Sequence, residues 1–173
     1  SEFAEIKKQA SVLKLTSAAY FPFGNNLRKF RMAIATTGEF TQKFGSQDNA
    51  LAEALNMVNL INLVYETELS VSFVAITETL NKTLIFPNPS TDPFTVSSTF
   101  ASANNSQAGF TTMNNNGTLP YSRYDIGHTF NIMDSSERTA QGQAGPNPCT
   151  PGSSARAWSQ WTVSMPRGAT ANL

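Results

Sequence analysis

His128 is the only histidine among 173 residues, and it stands three positions after Asp125 in the run Tyr124-Asp125-Ile126-Gly127-His128-Thr129-Phe130. A carboxylate and an imidazole at short range are raw material for a metal site, a proton relay or the base of a nucleophile. Each of these needs further groups. A hydrolytic zinc centre takes three protein ligands and leaves one position open for water. With one histidine and one cysteine, carboxylates would have to complete such a centre, and none is spaced for it. No metal site is therefore expected from these residues. A serine nucleophile of the Gly-x-Ser-x-Gly kind is absent. Gly142, Gly145 and Gly152 are not followed by the lysine or helix that cradles a phosphate. No catalytic residue emerges from types and spacing alone. Three residues apart in a strand means opposite faces, so Asp125 and His128 read as two structural groups. His128 is expected to join the sheet to a neighbouring helix through its ring nitrogens, and Asp125 to accept a nearby backbone N–H.

The elements that would carry these groups are legible in part. Ile6 to Ala10 reads as a helical turn and Ser11 to Leu15 as a short strand, before the Pro22, Gly24, Asn25, Asn26 cluster breaks the chain. Phe30 to Ala35 is apolar at nearly every position, which predicts a strand covered on both faces. Asn49 to Leu69 contains no Gly or Pro, and Leu51, Leu55, Val58, Ile61 or Asn62, Tyr65 and Leu69 recur at spacings of three and four. That is helix periodicity, over about 30 Å at 1.5 Å per residue. Met57, Leu60 and Val64 widen the apolar arc, and either Ser46 or Asp48 can cap the helix. Leu55 and Val58 are expected to be buried, with Glu53 and Asn56 towards solvent. Asn62 is out of place on an apolar arc, because its amide competes with the helix backbone; the expectation is a hydrogen bond to a neighbouring loop.

Ser70 to Ile76 alternates as a second strand. Leu84 to Phe86 extends it or pairs with it across Asn81-Lys82. A short helix is predicted near Asn105 to Thr112, a strand over Tyr124 to Met133, an irregular loop from Gly142 to Gly152, and a last strand from Trp158. The order is strand, long helix, strand, strand or hairpin, short helix, strand, loop, strand. This is an α/β arrangement of one sheet with helices.

Twelve basic and twelve acidic residues cancel, and charged residues make up only 14% of the chain. That balance argues against nucleic acid and against an anionic membrane surface as partners. No apolar run has transmembrane length and no basic-then-apolar stretch of leader type occurs in these residues, as expected of a mature chain whose leader was removed. Ser1-Glu2-Phe3 reads as cloning-site residue. Surface polarity carried by Asn, Ser, Thr and Gln suits an exported protein. Cys149 has no partner in the chain, which in an exported protein points to a partner elsewhere.

Several stretches in sequence resemble one family. Leu27 to Phe40 (LRKFRMAIATTGEF) is similar to the opening strand of bacterial reprolysin-like zinc metallopeptidases, and Val58 to Leu69 (VNLINLVYETEL) to their long first helix. Thr91-Asp92-Pro93-Phe94 and Tyr124 to Phe130 match two further stretches in the right order. The resemblance implies a metzincin upper subdomain, a five-stranded mixed twisted sheet with one antiparallel edge strand in a three-layer α/β arrangement with long helices. It implies a histidine at 128 that does not bind zinc, and a substrate-pairing edge at Thr139, Ala140, Gln141 and Gly142. It implies zinc as cofactor of the complete domain, a peptide or protein substrate, and a secreted bacterial location. The family's His-Glu-x-x-His-x-x-Gly-x-x-His helix, two histidines one turn apart with a glutamate as base, does not occur here. The resemblance places it beyond Leu173. On this reading residues 1–26 are an amino-terminal extension, and 27–173 are the substrate-cleft half of an exported zinc endopeptidase, inactive alone. Apolar groups around Val163, Ile126 and the first strand would then need covering by a second chain or by self-association, and Cys149 could tether the missing segment. A non-enzymatic binding or structural module of the same fold is the alternative. A cytosolic α/β enzyme using Asp125, His128 and a serine comes third.

Overall fold

The computed structural model describes residues 26–94, 103–133, 142–145, 149–150 and 157–162. The expected turn and strand between Ile6 and Leu15 lie outside them, as do Thr139 to Gln141 and Val163. The chain forms β1 (Arg28–Thr36), α1 (Gly38–Phe44), α2 (Gln47–Glu68), β2 (Val71–Ala75), α3 (Glu78–Lys82) and α4 (Ala103–Asn115). A 3-10 turn (Tyr121–Arg123), β3 (Ile126–Met133), β4 (Gly142–Ala144) and β5 (Ala157–Thr162) complete it. The sheet order is β2-β1-β3-β5-β4, all parallel except β4, which runs antiparallel to β5.

β1 is covered on both faces, and residues Met32 to Thr36 are all buried. Alternation sends Met32 and Ile34 to one side, against Phe40 of α1 and Leu51, Ala54, Met57 and Val58 of α2. Ala33 and Ala35 go to the other, where they meet Phe94, Phe110, Met113 and Trp158. Three layers follow: helices α1 and α2, the sheet, then α4 with its neighbouring loops. A bare apolar face was expected around the first strand, and it is not found there. Ile126 is itself partly buried.

Ser46, not Asp48, caps α2: its hydroxyl accepts the Asn49 N–H at 3.1 Å, satisfying one of the first-turn donors that lack an intrahelical partner. The buried set Ala50, Leu51, Ala54, Met57 and Val58 is one helical stripe. Leu55 is only partly buried because it lines an open surface cavity of about 490 Å³ with Leu51, Ile76, Asn81 and Lys82. Asn56 is exposed and Glu53 partly so. In the second half of α2, Asn62 and Tyr65 turn to β2, which leaves Leu63 and Val64 on the outer side, 40% and 53% exposed. The widened arc through Val64 does not hold.

β2 leaves β1 after Ile76, whose N–H still donates to Met32 O at 3.0 Å. From there the second strand's work is done by other groups. Asn81 Oδ1 accepts Ile34 N–H at 3.0 Å, Leu84 O accepts Thr36 N–H at 3.1 Å, and Ile85 bridges Thr36 in parallel. Leu84-Ile85 therefore pairs with β1, not with β2 as a hairpin, because residues 78–82 coil into α3 and swing the chain across.

Two glycines mark close approaches. A Cβ on Gly38 would collide with the backbone of Asn88 and Pro89, and one on Gly109 with the ring of Phe94. These contacts seat the 88–94 turn between α1 and α4. Asp92 holds that turn, accepting Gly38 N–H at 2.8 Å and Phe94 N–H at 2.9 Å. Burial raises its carboxyl pKa, and the two N–H donors oppose the rise.

Candidate functional site

β3 brings Asp125 and His128 to different surroundings. Asp125 lies just before the strand and forms a two-armed ion pair with Arg31: Nε donates to Oδ2 at 3.1 Å and Nη2 to Oδ1 at 2.7 Å. The same Oδ2 accepts the Arg31 backbone N–H at 2.7 Å, the kind of bond expected of this residue. Arg31 Nη1 reaches Ser122 O at 2.7 Å, and Asp125 N–H returns a bond to Arg31 O. The Arg31 hydrogen bond is the main cause that lowers the Asp125 pKa. A carboxylate held down by a guanidinium is a poor base. It fastens the entry of β3 to β1.

His128 sits on the α1–α2 face of the sheet, its ring 4.7 Å from that of Phe130. Nε2 lies 3.0 Å from Ser159 Oγ on β5. At Nε2 the ring therefore meets a neighbouring strand, where a helix was expected. Ser159 faces it because Phe130 and Ser159 are register partners, two positions on from His128. Desolvation lowers the imidazole pKa from 6.5 to about 4, so the ring is neutral at pH 7. The residues do not bring Asp125 and His128 together as a proton relay.

Cys149 is exposed, with φ at +64°, and its N–H donates to Asp125 O at 3.0 Å. It lies beside the Arg31–Asp125 pair, and burial of its thiol raises the pKa. The residues present do not fit a zinc ion: among the described residues no three His, Cys, Asp or Glu side chains converge.

What the fold does offer is an edge. Gly142 opens β4, which pairs antiparallel with β5 through Gly142 with Ser159, Gln143 with Trp158 and Ala144 with Ala157. The family resemblance implied an edge at 139–142, and composition alone read 142–152 as irregular. Gly142–Ala144 is strand instead, and the two placements share Gly142. Trp158, 1% exposed, anchors β5 in the core beneath this edge. Ser106 of α4 braces the same region, with Oγ 2.8 Å from Thr129 Oγ1 and donating to Ala157 O at 2.9 Å.

The opposite edge is β2, and there Asn62 makes two bonds. Its Nδ2 donates to Phe73 O and its Oδ1 accepts Phe73 N–H, both at 2.8 Å. The partner is strand backbone, not the loop expected. Arg31 and Ser159 were not legible as partners of Asp125 and His128, since only the register of strands far apart in sequence brings them together.

A mixed five-stranded sheet between helical layers, closed at one end by a single antiparallel strand, is a metzincin-like scaffold. Within that class, residues 27–154 match the model of metallo-peptidase family M12B, reprolysin-like, and the chain belongs to this family. No curated protein matches the chain. The family is zinc-dependent and supports a protease-type function. No helix among the described residues is long and apolar enough to cross a membrane.

Proposed function

We propose that this chain is the substrate-cleft half of an exported zinc endopeptidase, in which an extended peptide of the substrate adds alongside β4. The observation that carries the reading is the antiparallel edge strand Gly142–Ala144 on a sheet of the M12B family. Strand addition draws affinity from main-chain hydrogen bonds and leaves side chains to set preference, which suits hydrolysis of peptide bonds in varied proteins. Thr139, Ala140 and Gln141 extend the edge towards the amino side in this proposal. His128 and Asp125 keep structural roles, and the three-histidine ligand set is supplied from outside these residues, which hold one histidine. Zinc, when bound there, would polarise the scissile carbonyl and its attacking water. This chain's part is to align the peptide. A second chain or segment carrying the ligand set is the expected partner, with Cys149 placed on the surface where a covalent tether can reach it.

The test is titration of the isotope-labelled chain with an unstructured peptide library, followed by backbone amide shifts and by mass spectrometry of the peptide. Shifts centred on Gly142 to Ala144 and their β5 partners are expected, with no cleavage when zinc is added. Shifts elsewhere, or none, would refute the edge assignment. Zinc-dependent cleavage by these residues alone would refute the division of labour.

A further inference from the structure

We propose that Asn62 guards the β2 edge: by taking both backbone groups of Phe73, it prevents a second copy of this chain from adding its own β2 antiparallel to this one. The inference goes beyond the peptidase reading and stands whether or not β4 takes a peptide.

Strand geometry defines the opening. In a parallel pair, one strand's alternate residues turn both N–H and C=O to the partner. On β2 these include Ser70, whose O accepts Arg28 N–H at 2.8 Å, and Ile76, whose N–H donates to Met32 O. The residues between, Val71, Phe73 and Ala75, turn their backbone groups outward. Among the described residues no strand lies on that side, since β2 ends the sheet order. Such a row of unpaired groups is a template for another strand.

The sequence of this edge makes the hazard acute. Leu69 to Ile76 (LSVSFVAI) has no charge, no proline and no glycine. It joins high β propensity to zero net charge, the composition of strands that self-associate. Proteins usually blunt such edges with lysine, proline or a bulge, and none of these residues is a lysine or a proline. A second copy is the fitting partner, because two identical short edges can pair about a two-fold axis, each supplying what the other needs.

Asn62 stands where that partner would dock. Its carboxamide presents one donor and one acceptor, the same pair that a facing strand residue presents, and it meets Phe73 with two bonds of 2.8 Å. Phe73 is the middle residue of the three that face outward, so blocking it interrupts the row at its centre. Two neighbours on α2 hold the amide in place: Tyr65, whose ring lies 5.3 Å from that of Phe73, and Glu66, whose Oε1 accepts from Ser72 Oγ at 2.7 Å. An asparagine inside a helix costs about 0.5 kcal/mol against alanine, so helix formation does not explain its presence. The guard does.

The test compares wild type, Asn62→Ala and the double variant Asn62→Ala/Ala75→Pro by sedimentation velocity across a hundredfold range of concentration. Alanine favours α2, so the single variant exposes the edge without weakening the helix. Proline at 75 removes an outward N–H, places a ring on the edge and costs no bond to β1. At least tenfold tighter self-association is expected for Asn62→Ala, and a return to wild-type behaviour for the double variant. A folded Asn62→Ala that sediments like wild type would overturn the proposal, as would association that proline at 75 leaves unchanged. Amide hydrogen exchange on the wild type decides the matter if the variants fail to fold. The Phe73 amide should exchange at least tenfold more slowly than those of Val71 and Ala75, and equal rates would overturn the guard.

Discussion

Protonation of His128 should set the acid limit of this fold. The ring is neutral in the folded chain, and desolvation lowers its pKa from the ordinary 6.5 to about 4. An unfolded chain has no such penalty, so below pH 6.5 it binds a proton that the folded chain resists. Stability from this group is therefore complete above pH 6.5 and is lost as pH falls from 6.5 to about 4. At about 1.4 kcal/mol for each pH unit, the loss reaches about 3 kcal/mol. That is a large part of the roughly 5–15 kcal/mol that holds a domain folded. His128→Gln supplies the control, because the amide can still meet Ser159 Oγ but does not titrate. At pH 7 the variant should be about 1–2 kcal/mol less stable, through lost packing on Phe130. Near pH 4.5 the order should reverse. Urea unfolding of both proteins between pH 4 and 7.5 measures the gap, and the single histidine of the chain makes its ring resonances unambiguous for direct titration. A gap constant to within about half a kcal/mol across this range, or a ring that titrates between pH 6 and 7, would refute the reasoning.

Three other outcomes are expected. Leu51→Ala should cost about 2–5 kcal/mol in urea unfolding, because Leu51 is 4% exposed in the α2 core; Leu55→Ala should cost less, since Leu55 already lines an open cavity. Gly109→Ala should lower stability by about 1–3 kcal/mol through overpacking, although alanine is the better helix former by about 1 kcal/mol, because the new methyl meets the ring of buried Phe94. Asp125→Asn should destabilise the chain at pH 7, and the difference from wild type should shrink as pH falls below the ordinary carboxylate range. The Asp125 pKa is lowered by Arg31, so its contribution is present above the ordinary carboxylate range and is lost as pH falls through the folded value. Thermal melts at pH 3 and pH 7 check this.

What the sequence disclosed depended on the range of the interaction. β1 and the first half of α2 were legible because burial on both faces of a strand, and on one stripe of a helix, is written into local spacing. The family stretches from Leu27 onward pointed to the mixed sheet, which the strand order bears out. Asn62 was conspicuous as a polar residue on an apolar arc, yet its partner, eleven residues on, depended on how α2 packs over β2. β4 escaped because three residues, Gly-Gln-Ala, carry no alternation. Arg31 and Asp125 are 94 residues apart, and no local pattern announces such a pair. The helical turn at α3 was hidden by Leu84 to Phe86, whose apolar run reads as a hairpin arm until Asn81 Oδ1 is seen to accept the Ile34 N–H of β1.

The position of β1 has a consequence for how the protein is made. β1, the first strand among the described residues, lies inside the finished sheet, and one of its two flanking strands pairs with it 94 residues later, Met32 beside Ile126. β1, α2 and β2 follow closely and can form a seed on the ribosome. At about 5–20 residues per second, roughly 5–20 s pass before β3 emerges. During that interval the β3-facing side of β1 is an unprotected apolar strand edge, the kind of surface that chaperones bind. The nascent chain is thus exposed to misassociation at a strand that, once folding is complete, is among the best protected in the molecule.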